Sequence, residues 1–368
     1  MSDLTYAAIG RRRDELDTPA LVLDLDVARA NIALMAEQMA RTPIALRPHT
    51  KVHKSPELAR MQVDAGAIGI TTATAAEALA MAEAGLDDIL IARQVVGPVK
   101  LRALAVAART TRITLAVDST ANLREISAAA TAAGSTLGVI VEVDVGMNRC
   151  GVRSGAEAVE VARCALGLPG VEWRGAMGYE GHCMSEPDRV LRTGMQVEAM
   201  TRLLAVVDEL AAAGIACEIV SAGGTGTYDL AAATARVTES QAGSYVVMDG
   251  FHAGLVDRFP VALTLLATVI SRHGARVVLD AGRKSTATDL MKPRVVGHEA
   301  ETASVSEEHT SIDVAGECEL AVGDTVELVP GYAPTTVNLH AVYHVVRDGS
   351  VVDVWPILAR YGSDSPVA

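Results

Sequence analysis

Short apolar runs alternate with longer Ala-rich amphipathic stretches from residue 20 to about residue 249. The runs at 20–25, 44–47, 68–71, 89–92, 113–117, 139–143, 175–179, 218–220, 236–238 and 245–248 read as strands. The stretches at 26–40, 75–84, 99–108, 121–133, 156–166 and 188–213 repeat apolar residues at helical spacing, several of them behind a Ser, Thr or Asp cap. Strands apolar on both faces belong in a parallel sheet covered by helices. About eight such βα units in roughly 230 residues fit a closed (β/α)8 TIM-like barrel better than an open doubly wound sheet.

After residue 260 the texture changes. Residues 264–271, 276–280, 325–329, 342–347 and 351–355 are β-rich, and Asp348-Gly349 is a hairpin-turn pair. The expected organisation is a barrel over residues 20–260 and an all-β domain over 261–368, with residues 1–19 packing on the latter.

Composition narrows the partners. Half of the 368 residues are hydrophobic but only 3% are aromatic, so the cores are built from Ala, Val, Leu and Ile. A net charge of −13 disfavours nucleic acid and anionic membrane, while leaving room for one basic pocket around a small anion. Cys150, Cys164, Cys183, Cys217 and Cys318 are odd in number and show no C-x-x-C spacing, which suits a reduced, cytoplasmic chain. Arg11, Arg12 and Arg13 are followed by acidic residues rather than an apolar segment, and the apolar stretch at 261–270 is too short to span a bilayer. Neither export nor membrane anchoring is expected.

A barrel carries its chemistry at the C-terminal ends of its strands. Arg47, His49, Lys51, His53 and Lys54 crowd the end of one strand; repulsion among these cations, with partial burial, would lower the pKa of a lysine and free a nucleophilic amine. A solvated basic loop is the plainer alternative. Two later clusters, Ser221-Ala222-Gly223-Gly224-Thr225-Gly226-Thr227 and Gln241-Ala242-Gly243-Ser244-Tyr245, offer amides and hydroxyls for a phosphate, without matching a dinucleotide or P-loop fingerprint. A nucleophilic lysine with a phosphate cradle suggests an imine-forming enzyme. The lysine either attacks a phosphorylated carbonyl substrate or holds pyridoxal phosphate.

The motifs then become recognisable. Asp17-Thr18-Pro19, the run from Arg47 through Lys54, Asn148-Arg149-Cys150-Gly151-Val152, Tyr179-Glu180-Gly181-His182, Ser221-Ala222-Gly223-Gly224-Thr225, Gly243-Ser244-Tyr245 and Thr336-Val337-Asn338 fall in order along the chain. Together they resemble the D-threonine aldolase and D-serine dehydratase-like family of alanine-racemase-type (fold type III) pyridoxal phosphate enzymes. The resemblance implies a barrel of the alanine racemase N-terminal type, a C-terminal β-domain and a homodimer whose active site lies between one subunit's barrel and the other's β-domain. It implies that Lys51 carries the cofactor, that Arg149 stands beside the pyridine nitrogen, and that Tyr179 packs near the ring. His49, Ser221, Gly223, Gly224, Thr225, Gly243, Ser244 and Tyr245 would complete the cofactor site. For Arg149, an ion pair with Asp144 is the plainer role.

One stretch departs from the family. Where members carry a His and, two residues on, a Cys or Asp for a divalent metal, this chain has Tyr332 and Pro334. Proline has no ligand atom and a neutral phenol binds such cations poorly, so no metal site is expected there. His309, Glu308, Asp313 and His340 are the nearest candidates for a replacement ligand or base. The implied activity is cleavage of D-β-hydroxy-α-amino acids to glycine and an aldehyde, with His182 as the base for the hydroxyl. The alternatives are dehydration of D-serine or 3-hydroxyaspartate, which suffers more from a missing metal, and metal-free racemisation with Tyr332 as the second base. A non-catalytic cofactor carrier or a cofactor-free barrel aldolase would have no need of the β-domain.

Overall fold

Most of the apolar runs of the first two-thirds of the chain form one parallel sheet in the computed structural model, which describes residues 7–316 and 319–361. Cys318 lies outside the described residues. After β1 (Ala20–Asp24) come β2 (Ala45–Leu46), β3 (Ile70–Thr72), β4 (Asp88–Gln94), β5 (Arg112–Val117), β6 (Leu137–Glu142), β7 (Val171–Met177), β8 (Ile219–Ala222) and β9 (Glu239–Ser240). The sheet runs β2-β9-β8-β7-β6-β5-β4-β3, every pair parallel. Its ends meet: Ile68 N donates to Leu46 O, Thr71 N donates to Pro48 O, and His49 bridges Thr71 in parallel, so the eight strands close into a barrel.

Local chemistry explains the connections. Thr74, Ser119, Ser154 and Asp188 each cap a helix by accepting a backbone N–H of its first turn, which fixes where chain leaving a strand turns back. Leu90, Ala116, Ile140, Met177 and Ile219, from five successive strands β4 to β8, pack into one apolar cluster. This unit comprises residues 35–51 and 58–243.

The other unit holds residues 7–34, 52–57 and 244–361. Its strands are β10 (Leu263–His273), β11 (Arg276–Leu279), β12 (Arg294–Val295), β13 (Ala300–Val305), β14 (Thr310–Val314), β15 (Thr325–Val329), β16 (Val342–Arg347) and β17 (Ser350–Pro356). The order is β13-β14-β11-β10-β1-β16-β17, with β15 against β10 and β12 against β15. Leu265, Val269, Val277, Leu279, Ile312, Val326 and Leu328 form one core. Ala8 and Leu16 join Val22, Val346 and Val354 in a second, and Arg13 pairs with Glu327 at 2.6 Å.

Three local expectations change. β1, expected as the first barrel strand, is a central strand of the mainly antiparallel sheet, paired antiparallel with β10 and parallel with β16. A strand flanked on both sides is as continuously apolar in either sheet, so its pattern does not choose between them. Residues 245–248, expected as a strand, open with a 3-10 turn over Ser244–Val246. The strand expected at 236–238 forms as β9, a little further along. No helix among the described residues is long and apolar enough to cross a membrane.

Candidate active site

The chain leaving β2 carries the basic cluster, and the structure separates its members. Arg47 is buried and structural: its guanidinium donates to Asp88 at 2.6 Å and to Glu239 at 3.0 Å, tying β2 to β4 and β9. His53 accepts the N–H of Ser55 through Nδ1, and Lys54 donates to the carbonyl of Ala359. Lys51 is half-buried in the turn Thr50–Val52, with its amine 5.2 Å from the centre of the Tyr179 ring. Burial, then the charge of Arg149, lowers its pKa to about 8, against an opposing pull from Glu77. The lowering is therefore the work of burial and of an arginine 98 positions away in sequence, not of the neighbouring cations. At neutral pH such an amine is about one-tenth unprotonated, roughly 300-fold more than an ordinary lysine.

Around that amine the strand ends supply a mixed set of groups. His49 is buried, and its Nδ1 accepts the Lys51 N–H at 3.3 Å. Gly243 lies so close to the His49 carbonyl that a Cβ there would sit 2.2 Å from the oxygen, and only glycine permits that approach. Gly224 brings the loop after β8 against the Tyr179 ring, where a Cβ would lie 3.3 Å from the ring edge. Arg149 is half-exposed, with a guanidinium nitrogen 3.7 Å from the Glu142 carboxylate. Glu142, the last residue of β6, is buried and also accepts from Gln94 at 2.7 Å; burial raises its pKa. Asp144 pairs with Arg153 instead of Arg149 and accepts the N–H groups of Gly146 and Asn148, shaping the turn that leads to Arg149.

His182 lies in the 3-10 turn Gly181–Ser185, its ring against Gly146. Its Nδ1 is buried and has no hydrogen-bond partner, and Nε2 is 3.9 Å from the Cys183 sulfur. Ser221 accepts from Gln241 at 2.8 Å, Gly223 N donates to Glu180, and Gly224 N donates to Thr227, so these three already have protein partners. Thr225 is buried in the same turn. Ser244 opens the next turn, and Tyr245 is fully buried with its ring 5.6 Å from that of Phe259.

In the β-rich unit, Tyr332 precedes the helix Ala333–Leu339, for which Pro334 is a natural first-turn residue. Its ring stacks on His252 at 5.9 Å and meets Phe251 edge-on at 6.0 Å. The buried Asp249 holds this group together: it accepts from His252 Nδ1 at 2.8 Å and from Ala333 N at 2.7 Å. Burial, then Asp249 and Asp289, pushes the Tyr332 phenol up to about 12. The candidate replacement ligands are engaged elsewhere: Glu308 with Lys284, Asp313 with Arg276, and His340 with the carbonyl of Ser285. His309 is an exposed turn residue whose carbonyl accepts the N–H of Ser306. Among the described residues no three His, Cys, Asp or Glu side chains are grouped to hold a metal.

Residues 23–250 match the family model described as alanine racemase, N-terminal domain. The chain belongs to that family. Residues 262–346 match a putative serine dehydratase domain. A D-threonine aldolase from Arthrobacter sp is 40% identical over 352 residues, covering 94% of this chain and 93% of that protein. A 3-hydroxy-D-aspartate aldolase from Paracoccus denitrificans (strain Pd 1222) is 34% identical over 367 residues, covering 95% and 94%. The crystal structure of D-threonine aldolase from Filomicrobium marinum superposes with a TM-score of 0.93 at 32% identity, covering 96% and 98%. Within the alanine racemase family, the chain belongs to this group of fold type III enzymes.

The family implies pyridoxal phosphate, and the residues present fit it. A lysine amine with a lowered pKa, an aromatic ring beneath it, an arginine alongside and a side-chain-free approach at Gly224 suit a phosphorylated aromatic aldehyde. At the end of β3, Thr72 Oγ1 is buried without a hydrogen-bond partner. Glu142 is not among the residues the sequence singles out, and Glu180 enters there only within the Tyr179-Glu180-Gly181-His182 motif, with no role of its own. A carboxylate ending an otherwise apolar strand, as Glu142 does, is the signal that could have found it.

Proposed function

We propose that the protein is a pyridoxal phosphate-dependent lyase that cleaves D-configured β-hydroxy-α-amino acids between Cα and Cβ, releasing glycine and an aldehyde. The observation that carries this reading is the Lys51 amine, its pKa lowered to about 8 above Tyr179 and beside Arg149, in a chain alike along nearly its whole length to a D-threonine aldolase. The cofactor, when bound, supplies the electron sink that stabilises negative charge at Cα.

The chain's own groups divide the remaining work. Lys51 anchors the cofactor through its amine. Arg149, held by Glu142, presents a charge that cannot be given up as a proton, so it would leave a ring nitrogen held beside it unprotonated and the sink moderate. Tyr179 flanks the ring, while His49, Ser221, Gly223, Gly224, Thr225, Gly243, Ser244 and Tyr245 shape its surroundings and the phosphate end. His182, in the turn that follows Tyr179, is the base for the β-hydroxyl proton.

Tyr332 bears on the alternatives. A second base for racemisation must spend time as tyrosinate, and a phenol pushed to about 12 beside Asp249 stays protonated at neutral pH. A phenol that keeps its proton weighs against the racemase. We further propose that the reaction is metal-independent, because Pro334 offers no ligand and Tyr332 a protonated one. Dehydration, the second reading favoured by the match to a serine dehydratase domain, must expel hydroxide and so needs the Lewis acid more. A cytoplasmic homodimer completes the proposal; the family supports the dimer, and free Cys150, Cys164, Cys183 and Cys217 support a reducing compartment.

The test is to incubate the protein with D-threonine, D-phenylserine, D-serine and D-alanine, with EDTA or with added Mn²⁺, and to score aldehyde, ammonia and inverted amino acid. Aldehyde and glycine from the first two, indifferent to EDTA, are expected. Ammonia or inversion as the main product would replace the lyase reading, and loss of activity in EDTA would remove metal independence.

A further inference from the structure

Glu180 is completely buried between Tyr179 and the 3-10 turn that carries His182, and it is turned toward the loop after β8. One carboxyl oxygen accepts the Thr227 hydroxyl at 2.6 Å and the other accepts Gly223 N at 3.2 Å. Thr227, also fully buried, accepts Gly224 N on the same hydroxyl oxygen at 3.1 Å, and its own N–H donates to Gly224 O at 3.0 Å. One carboxyl thus fixes two successive peptide planes of a glycine pair. Gly223 sits there at φ +86, wedged where a Cβ would meet Ala231 and Ser240 at 2.9 Å. Two adjacent glycines have the largest backbone freedom to lose, so the loop's shape rests on these hydrogen bonds.

We propose that Glu180 is a positioning residue that sets the Gly223–Thr227 turn for the cofactor's phosphate. It acts from behind: by engaging the N–H groups of Gly223 and, through Thr227, of Gly224, it fixes which way the rest of the turn faces. Phosphate selection at a loop depends on preset donors, because ordering them at the moment of binding costs affinity. Burial raises the Glu180 pKa, the direction that favours the uncharged carboxyl. An amide of the same shape can then replace it: Gln accepts from Gly223 N, and its NH₂ donates to the Thr227 oxygen.

The inference rests on the pyridoxal phosphate reading, and one titration separates the two. The cofactor-free protein is titrated by absorbance with pyridoxal phosphate and, separately, with pyridoxal, which lacks the phosphate. Wild type should prefer the phosphorylated compound strongly. Glu180→Ala should weaken pyridoxal phosphate binding by about tenfold or more while leaving pyridoxal within about twofold, as expected when hydrogen bonds that shape the phosphate site are lost. Thr227→Val should do the same, and it keeps the comparison available should Glu180→Ala fail to fold. Glu180→Gln should stay close to wild type. Equal weakening for both compounds, no weakening, or a Gln variant as poor as Ala would each overturn the positioning role. A wild type with no preference for the phosphate would take down the cofactor-site reading and the role of Glu180 with it.

Discussion

Replacing Arg47 by Met should destabilise the barrel strongly yet leave the reactivity of Lys51 almost untouched. Arg47 is 4% exposed and holds Glu239, 2% exposed, and Asp88, 19% exposed. Asp88 keeps a second partner in Arg112 at 3.2 Å, but Glu239 would become a buried carboxylate with its ion pair gone. Breaking such a pair from one side costs about 3–5 kcal/mol, whereas replacing both partners by apolar groups is often nearly neutral. Arg47→Met should therefore lose about 3–5 kcal/mol, and Arg47→Met with Glu239→Leu should recover most of it. The assay is equilibrium urea unfolding followed by the fluorescence of Trp173 on β7, with Trp355 in the β-rich unit changed to Phe. In the same proteins, the pH dependence of Lys51 labelling by an amine reagent should still titrate near 8, because burial and Arg149 set that value. Arg149→Met should raise it instead. A loss under about 1 kcal/mol for Arg47→Met, or a Lys51 titration that moves toward that of an ordinary lysine in it, would refute the reasoning.

Two further outcomes follow from the same geometry. Glu142 and Glu180 have raised pKa values in the fold, so above the ordinary carboxylate range the folded protein holds protons that the unfolded chain has released. Their contribution to stability is largest at low pH and is lost as pH rises through the folded pKa. Glu180→Gln should thus gain stability relative to wild type as pH rises from about 4.5, measured by urea unfolding across pH; a constant difference would show that the Glu180 pKa is the same in the folded and unfolded chain. Gly243→Ala places a methyl 2.2 Å from the His49 carbonyl, so the turn must shift, costing about 1–3 kcal/mol and loosening the cofactor. Its readout is cofactor retained through gel filtration, and undiminished retention would contradict the close approach.

The barrel was legible because its strands are short continuous apolar runs and its helices begin at recognisable caps such as Thr74, Ser119 and Ser154. β1 was not, since a strand covered on both sides looks the same in either sheet. The alternating β13 and β14, at residues 300–305 and 310–314, are half polar and gave no continuous run. At the site, Lys51, Arg149 and Tyr179 could be named from motifs, and the structure brings them together. Burial could be read as a cause of the lowered Lys51 pKa, but the charge could not, because proximity in sequence pointed to Arg47 and Lys54 while the charge that matters comes from Arg149. Nor could the loop donors be sorted: only the fold reveals that Gly223 and Gly224 spend their N–H groups on Glu180 and Thr227.

The account turns on Lys51 as the residue that holds the cofactor. Borohydride reduction of the pyridoxal phosphate-loaded protein, followed by peptide mass spectrometry, should place one reduced pyridoxyl group per chain on Lys51, with none on Lys54 and none anywhere in Lys51→Ala. A label on another lysine, or no label in a protein that still cleaves D-threonine, would contradict it.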